Sequence, residues 1–174
     1  GVQTCALPIY LHEIYGEFNG KFVDRNECTI DLFRGWMQWA AEHNTKLDFN
    51  STSFSHPKSG NLTLANPNEE IRQFWIEHTR RCRAIANEIG EAQQDPCCIN
   101  IWIHDGSKDF TVNRLLYRSL LKDSLDKILE TKYRWEEPSV ESKLFGIGLE
   151  TMTVGSNDFY TAYASRNNLR SEEH

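Results

Sequence analysis

Glu141 and Lys143 lie two residues apart in a stretch that reads as a strand, so both side chains point to one face. A carboxylate and an ammonium on a strand face are costly to bury unless paired or bound to a metal. Two readings stay open: a structural ion pair, or a metal ligand beside an electrostatic clamp on a substrate oxygen. Three further stretches carry similar chemistry. His12 lies on one strand, Asn50, Phe54, Ser55 and His56 follow a second, and Trp102, His104 and Asp105 end a third. His12 suits either a satisfied core histidine or a substrate contact. Trp102 and Phe54 suit either core or pocket wall. His78 reads as structural, and Arg80-Arg81-x-Arg83 as a solvated helix face.

The elements that must position these residues follow from periodicity. Leu11 to Tyr15 alternates and reads as a strand. From Thr29, Leu32, Phe33, Trp36, Met37 and Ala40 recur at helical spacing, and Asn44-Thr45 ends that helix. Leu47 to Asn50 is the next strand. Asn66 as cap, Pro67 at the first position and Glu69 completing the capping pattern predict a second helix. Its inward face is Ile71, Phe74, Trp75, His78, Cys82, Ile85 and Ile89, and Gly90 ends it. Cys97 to Ile103 reads as a strand buried on both sides. A third helix spans Thr111 to Glu130 with Val112, Leu115, Leu116, Leu120, Leu125 and Ile128 inward. Ser139 to Phe145 is a fourth strand, and a last helix runs from Ser156 to Asn167.

Four βα units in succession predict an α/β fold with a parallel sheet. Either an open doubly wound sheet or about half of a (β/α)8 TIM barrel fits, a whole barrel needing roughly 250 residues. In both, ligands bind at the carboxyl ends of the strands, where the chemistry-bearing residues cluster. Gly146-Ile147-Gly148-Leu149-Glu150-Thr151 begins like a dinucleotide fingerprint, but Thr151 stands where a third glycine belongs.

The chain has 174 residues, 39% apolar, 25% charged and 11% aromatic, with a formal charge of -6. Such apolar and aromatic content excludes a disordered chain. The acidity argues against nucleic acid, and no apolar run approaches the roughly 20 residues of a membrane helix. Five cysteines with no CxxC pair make a poor disulfide framework or zinc knuckle and fit a reducing cytoplasm. Gly1–Ile9 can be back-translated as GGA GTT CAG ACG TGT GCT CTT CCG ATC, which resembles a short-read library adapter. Arg170–His174 can be back-translated as AGA TCG GAA GAG CAC, matching the other end of that adapter in reverse complement. Residues 1–9 and 170–174 therefore read as non-native segments, and 10–169 as a partial barrel domain.

Several stretches resemble the L-rhamnose isomerase family: Leu11 to Tyr15, Leu47 to Asn50, Phe54-Ser55-His56-Pro57 and Ile71 to Ile76. Asn100 to Ile103 with Asp105-Gly106, Val140 to Gly148 and Thr153 to Asn157 extend the likeness along nearly the whole of residues 10–169. The resemblance implies a metal-dependent aldose–ketose isomerase on a TIM barrel. Manganese and a second divalent ion such as zinc would assist a hydride shift between C1 and C2 of L-rhamnose. It further implies Glu141 as a metal ligand, Lys143 as the lysine on a substrate oxygen near C1, Trp102 and Phe54 as pocket walls, and His12 at the far end of the sugar. The family's remaining metal ligands would lie beyond Leu169, so the fragment alone is expected to be inactive. The full-length protein would be a cytoplasmic homotetramer without nucleic-acid or membrane partners. Another barrel sugar isomerase and a non-catalytic sugar-binding α/β domain remain the alternatives.

Overall fold

The computed structural model describes residues 8–108, 111–143 and 152–172. Strand β1 (Ile9–His12) is followed by a single 3-10 turn at Glu13–Tyr15. Its parallel pairing ends with His12 opposite Asn50, and the chain turns there, shortening the strand expected to reach Tyr15. Further 3-10 turns lead into α1 (Arg34–Glu42), and β2 (Leu47–Ser51) follows. Then come α2 (Glu69–Gln93), β3 (Cys97–Ile101), the short β4 (Gly106–Ser107) and α3 (Arg114–Ile128). The chain continues with β5 (Glu136–Glu141), β6 (Met152–Thr153), α4 (Asn157–Asn167) and β7 (Arg170–Glu172).

The main sheet is parallel, in the order β1-β2-β3-β5-β7, while β4 and β6 form a separate antiparallel pair. That order advances one way and never reverses. Right-handed crossovers advancing one way keep every helix on the same face, the winding of a barrel; a doubly wound sheet reverses direction. Of the two architectures open from the sequence, the partial (β/α) barrel is the one this order fits.

The two faces of the sheet differ in kind. Leu11, Phe49, Ile99, Ile101 and Val140 are buried on the helix side, within two apolar clusters. His12, Asn50, Asn100 and Ser139 stand in register on the other side, and β3 is buried on both faces, as expected, with Asn100 as its polar residue.

Five sequence expectations need correction. Asn68, not Asn66, caps α2, its side chain accepting from the Glu70 amide, while Asn66 accepts from the Asn68 amide one turn earlier. Helix α2 runs past Gly90 to Gln93 and ends on Gln94 in the left-handed region. A Cβ at Gly90 would lie 2.0 Å from the Trp135 carbonyl oxygen, so glycine permits close approach of β5's entry rather than a helix stop. Arg83 is no solvated residue: it is buried, donating to both Glu136 carboxylate oxygens at 2.7 and 2.9 Å. Val112, Leu115 and Leu116 are exposed, whereas Leu125 and Ile128 are buried as expected and Leu121 joins them. The fourth strand begins earlier, at Glu136; its expected end at Leu144 and Phe145, and Gly146–Thr151, lie outside the described residues.

Candidate active site at the strand ends

Glu141 closes β5 on the polar face, two residues beyond Ser139. The Asn100 side-chain amide on β3 donates to one of its carboxylate oxygens. Asn100 is buried, and its own Oδ1 has no hydrogen-bond partner among the described residues. Asn50, its register neighbour on β2, likewise carries a buried Oδ1 unpartnered among the described residues. Lys143, just past β5, is buried, and its ammonium donates to the His104 carbonyl at 2.9 Å. The lysine therefore bridges from the end of β5 to the segment leaving β3.

That segment also carries Trp102, half-buried, whose ring meets Phe54 edge-on with centroids 6.1 Å apart. Phe54 is 41% exposed, so the pair forms a wall that is still open to solvent. The His104 ring lies 6.4 Å from Trp102 and pairs with the Gly60 carbonyl at 3.0 Å. His12 stands across the sheet at the end of β1, its ring edge-on to Tyr15. The structure thus brings Glu141, Lys143, Trp102 and Phe54 to neighbouring strand ends, with His12 in the register row that passes through Asn50 and Asn100.

Two residues singled out in sequence serve the frame instead. Asp105 is fully buried and accepts from the Thr63 amide at 2.7 Å, the Ala65 amide at 2.9 Å and the Thr63 hydroxyl at 2.5 Å. Burial raises its carboxyl above the usual range, against those three hydrogen bonds. His56 pairs with Asp24 at 3.1 Å and stacks on Phe74. His78 is structural as expected, pairing through Nδ1 with the Arg25 carbonyl at 3.0 Å and pushed down to about 4 by burial. Asn100 escaped sequence reasoning because an asparagine inside an apolar strand has no motif; its side-chain hydrogen bond to Glu141 on the next strand marks it.

Among the described residues no three His, Cys, Asp or Glu side chains converge as a metal site. A carboxylate is a hard oxygen donor suited to manganese, and Glu141 supplies one. Among the described residues the donor set fits one ligand of a metal centre.

The L-rhamnose isomerase (RhaA) family model matches residues 5–171. An L-rhamnose isomerase of Bacteroides thetaiotaomicron is 66% identical over 160 residues, covering 91% of this chain and 38% of that protein. The enzyme of the same name from Rhodopirellula baltica is 48% identical over 157 residues, covering 88% of this chain and 36% of its own length. That from Mannheimia succiniciproducens is 49% identical over 156 residues, covering 88% and 37%. The chain thus spans less than two fifths of the length of these relatives. On a match along nearly all its residues, the chain belongs to the L-rhamnose isomerase family.

Proposed function

We propose that this chain is part of an aldose–ketose isomerase that converts L-rhamnose to L-rhamnulose. The observation that carries the reading is the approach of Glu141, Lys143 and the Phe54–Trp102 wall at neighbouring strand ends of a family member. The reaction is internally balanced: C1 is reduced from aldehyde to alcohol while C2 is oxidised from alcohol to ketone. A bound divalent cation, manganese with a second ion such as zinc, would polarise the sugar's carbonyl and hydroxyl oxygens. Glu141 would be this chain's ligand to it, its carboxylate oriented by the Asn100 amide.

Lys143 holds a positive charge where negative charge develops on the oxygen near C1. Its ammonium is already oriented by the His104 carbonyl, so little reorganisation is needed when the sugar arrives. Phe54 and Trp102 exclude water from one side of the sugar, which strengthens every polar contact inside. His12 takes the far end of the substrate. The full-length protein is read as a cytoplasmic homotetramer; Cys28, Cys82, Cys97 and Cys98 are buried thiols, in keeping with a reducing compartment.

The test uses a full-length enzyme in which this segment replaces the 160 aligned residues of the Bacteroides thetaiotaomicron relative. With manganese it should isomerise L-rhamnose, and Glu141→Gln or Lys143→Met should each lower kcat by about 100-fold or more. Turnover of another aldose with L-rhamnose refused would move the reading to a different sugar isomerase. Sugar binding that needs no metal and survives both substitutions would make this a binding domain and sink the proposal.

A further inference from the structure

Arg25 belongs to no motif in the sequence, yet its guanidinium joins two strand ends. Nη1 donates to the buried Glu13 carboxylate just after β1 and to the Thr52 carbonyl at 2.9 Å. Nη2 donates to the Phe54 carbonyl at 3.2 Å. The preceding residue, Asp24, accepts from the Arg25 amide at 2.7 Å and pairs with His56 Nε2 at 3.1 Å. The Arg25 carbonyl is in turn paired with His78 Nδ1 on the buried face of α2. Residues 52, 54 and 56 are therefore each held by one of two adjacent residues, Asp24 and Arg25.

Between them sits Ser55 at φ 59°, in the left-handed region that a non-glycine residue keeps only where its surroundings fix it. Phe54 needs that fixing, because its ring is 41% exposed and meets Trp102 only edge-on. A planar guanidinium can hold a carboxylate and two carbonyls at once in a fixed geometry; a lysine ammonium is a point charge without that fork.

We infer that Arg25 is a positioning residue for the sugar pocket: with Asp24 it clasps the 52–56 turn and sets the Phe54 ring at the mouth of the barrel. Its reach from Glu13 to Phe54 couples the end of β1, beside His12, to the aromatic wall. This rests on the reading of Phe54 as a substrate contact.

The experiment uses the same full-length chimaera. Arg25→Met should raise KM for L-rhamnose about tenfold and leave kcat within about threefold, as should Phe54→Ala. Because Arg25 acts through Phe54, the double variant should be no worse than Phe54→Ala alone. Arg25→Lys keeps a charge for Glu13 but loses the fork, so its KM should follow Arg25→Met. An unchanged KM in Arg25→Met, full recovery in Arg25→Lys, or effects that multiply in the double variant would each overturn the inference.

Amide exchange separates the clasp from the role of Phe54. The amides of His56, Lys58 and Ser59 donate within the turn, to Ser59 Oγ, His56 Nδ1 and the His56 carbonyl. They should exchange faster in Arg25→Met than in the parent. If Phe54→Ala leaves KM unchanged, the substrate contact is lost from the reading, and faster exchange still upholds the clasp. Unchanged exchange discards it.

Discussion

Glu13 and His78 are buried side chains with opposed demands on pH. Burial pushes the Glu13 carboxyl up to about 7, against the Arg25 charge and hydrogen bonds that lower it. Folded protein therefore keeps a proton there that the unfolded chain has released, and this contribution to stability is full below about pH 4.5 and gone above about 7. Burial pushes the His78 imidazole down to about 4, so its contribution is present above about pH 6.5 and is lost toward 4. Over much of the same window the two slopes oppose each other. Glu13→Gln should leave His78 unopposed, and stability should then fall toward acid more steeply than in the parent, by up to about 1.4 kcal/mol per pH unit. Urea unfolding at a series of pH values between 6.5 and 4.5 measures this. A parent curve already as steep would refute the opposition.

Between elements, the Arg83–Glu136 pair fastens α2 to β5, and Arg83 also donates to the Ile128 carbonyl that ends α3. Both side chains are almost wholly buried. Arg83→Met or Glu136→Gln should cost about 3–5 kcal/mol, since each strands a polar or charged partner in the core. The double variant Arg83→Met with Glu136→Met should recover much of that loss in the same unfolding measurement. The alternation of strands and helices was legible in sequence because it rests on local periodicity, as at Leu47–Ser51 and along Phe74, Trp75, Cys82 and Ile85. The Arg83 pair was hidden because Glu136 lies 53 residues away and nothing local distinguishes Arg83 from Arg80 and Arg81. Gly90 misled for a similar reason: its need for a bare Cα comes from the Trp135 carbonyl, not from its own helix. At the site, Glu141 and Lys143 stood out in sequence as closely spaced charges, but the structure ends β5 at Glu141 and leaves Lys143 just past it. Arg25 and Asn100 did not stand out, because their partners come from other elements.

For the molecule as a whole, the sheet ends at β1 and at β7, and each end strand presents an unpaired edge among the described residues. Strand β7 includes Arg170–Glu172, and the family match reaches residue 171. We propose that residues 1–9 and 170–174 are nevertheless adapter-derived; source codons that depart from the adapter triplets would discard that. The purified 174-residue chain with manganese should show no turnover of L-rhamnose and should self-associate with rising concentration in light scattering. The chimaera, with its edges covered, should not aggregate in this way. The split between the two faces of the sheet has a consequence for inheritance. Cohesion is written in Phe49, Ile99, Ile101 and Val140, and the polar side chains His12, Asn50, Asn100 and Glu141 fall on alternating letters of the same strands. A lineage can rewrite one set of letters while the other stays legible, so new substrate preferences can arise without each change endangering the fold.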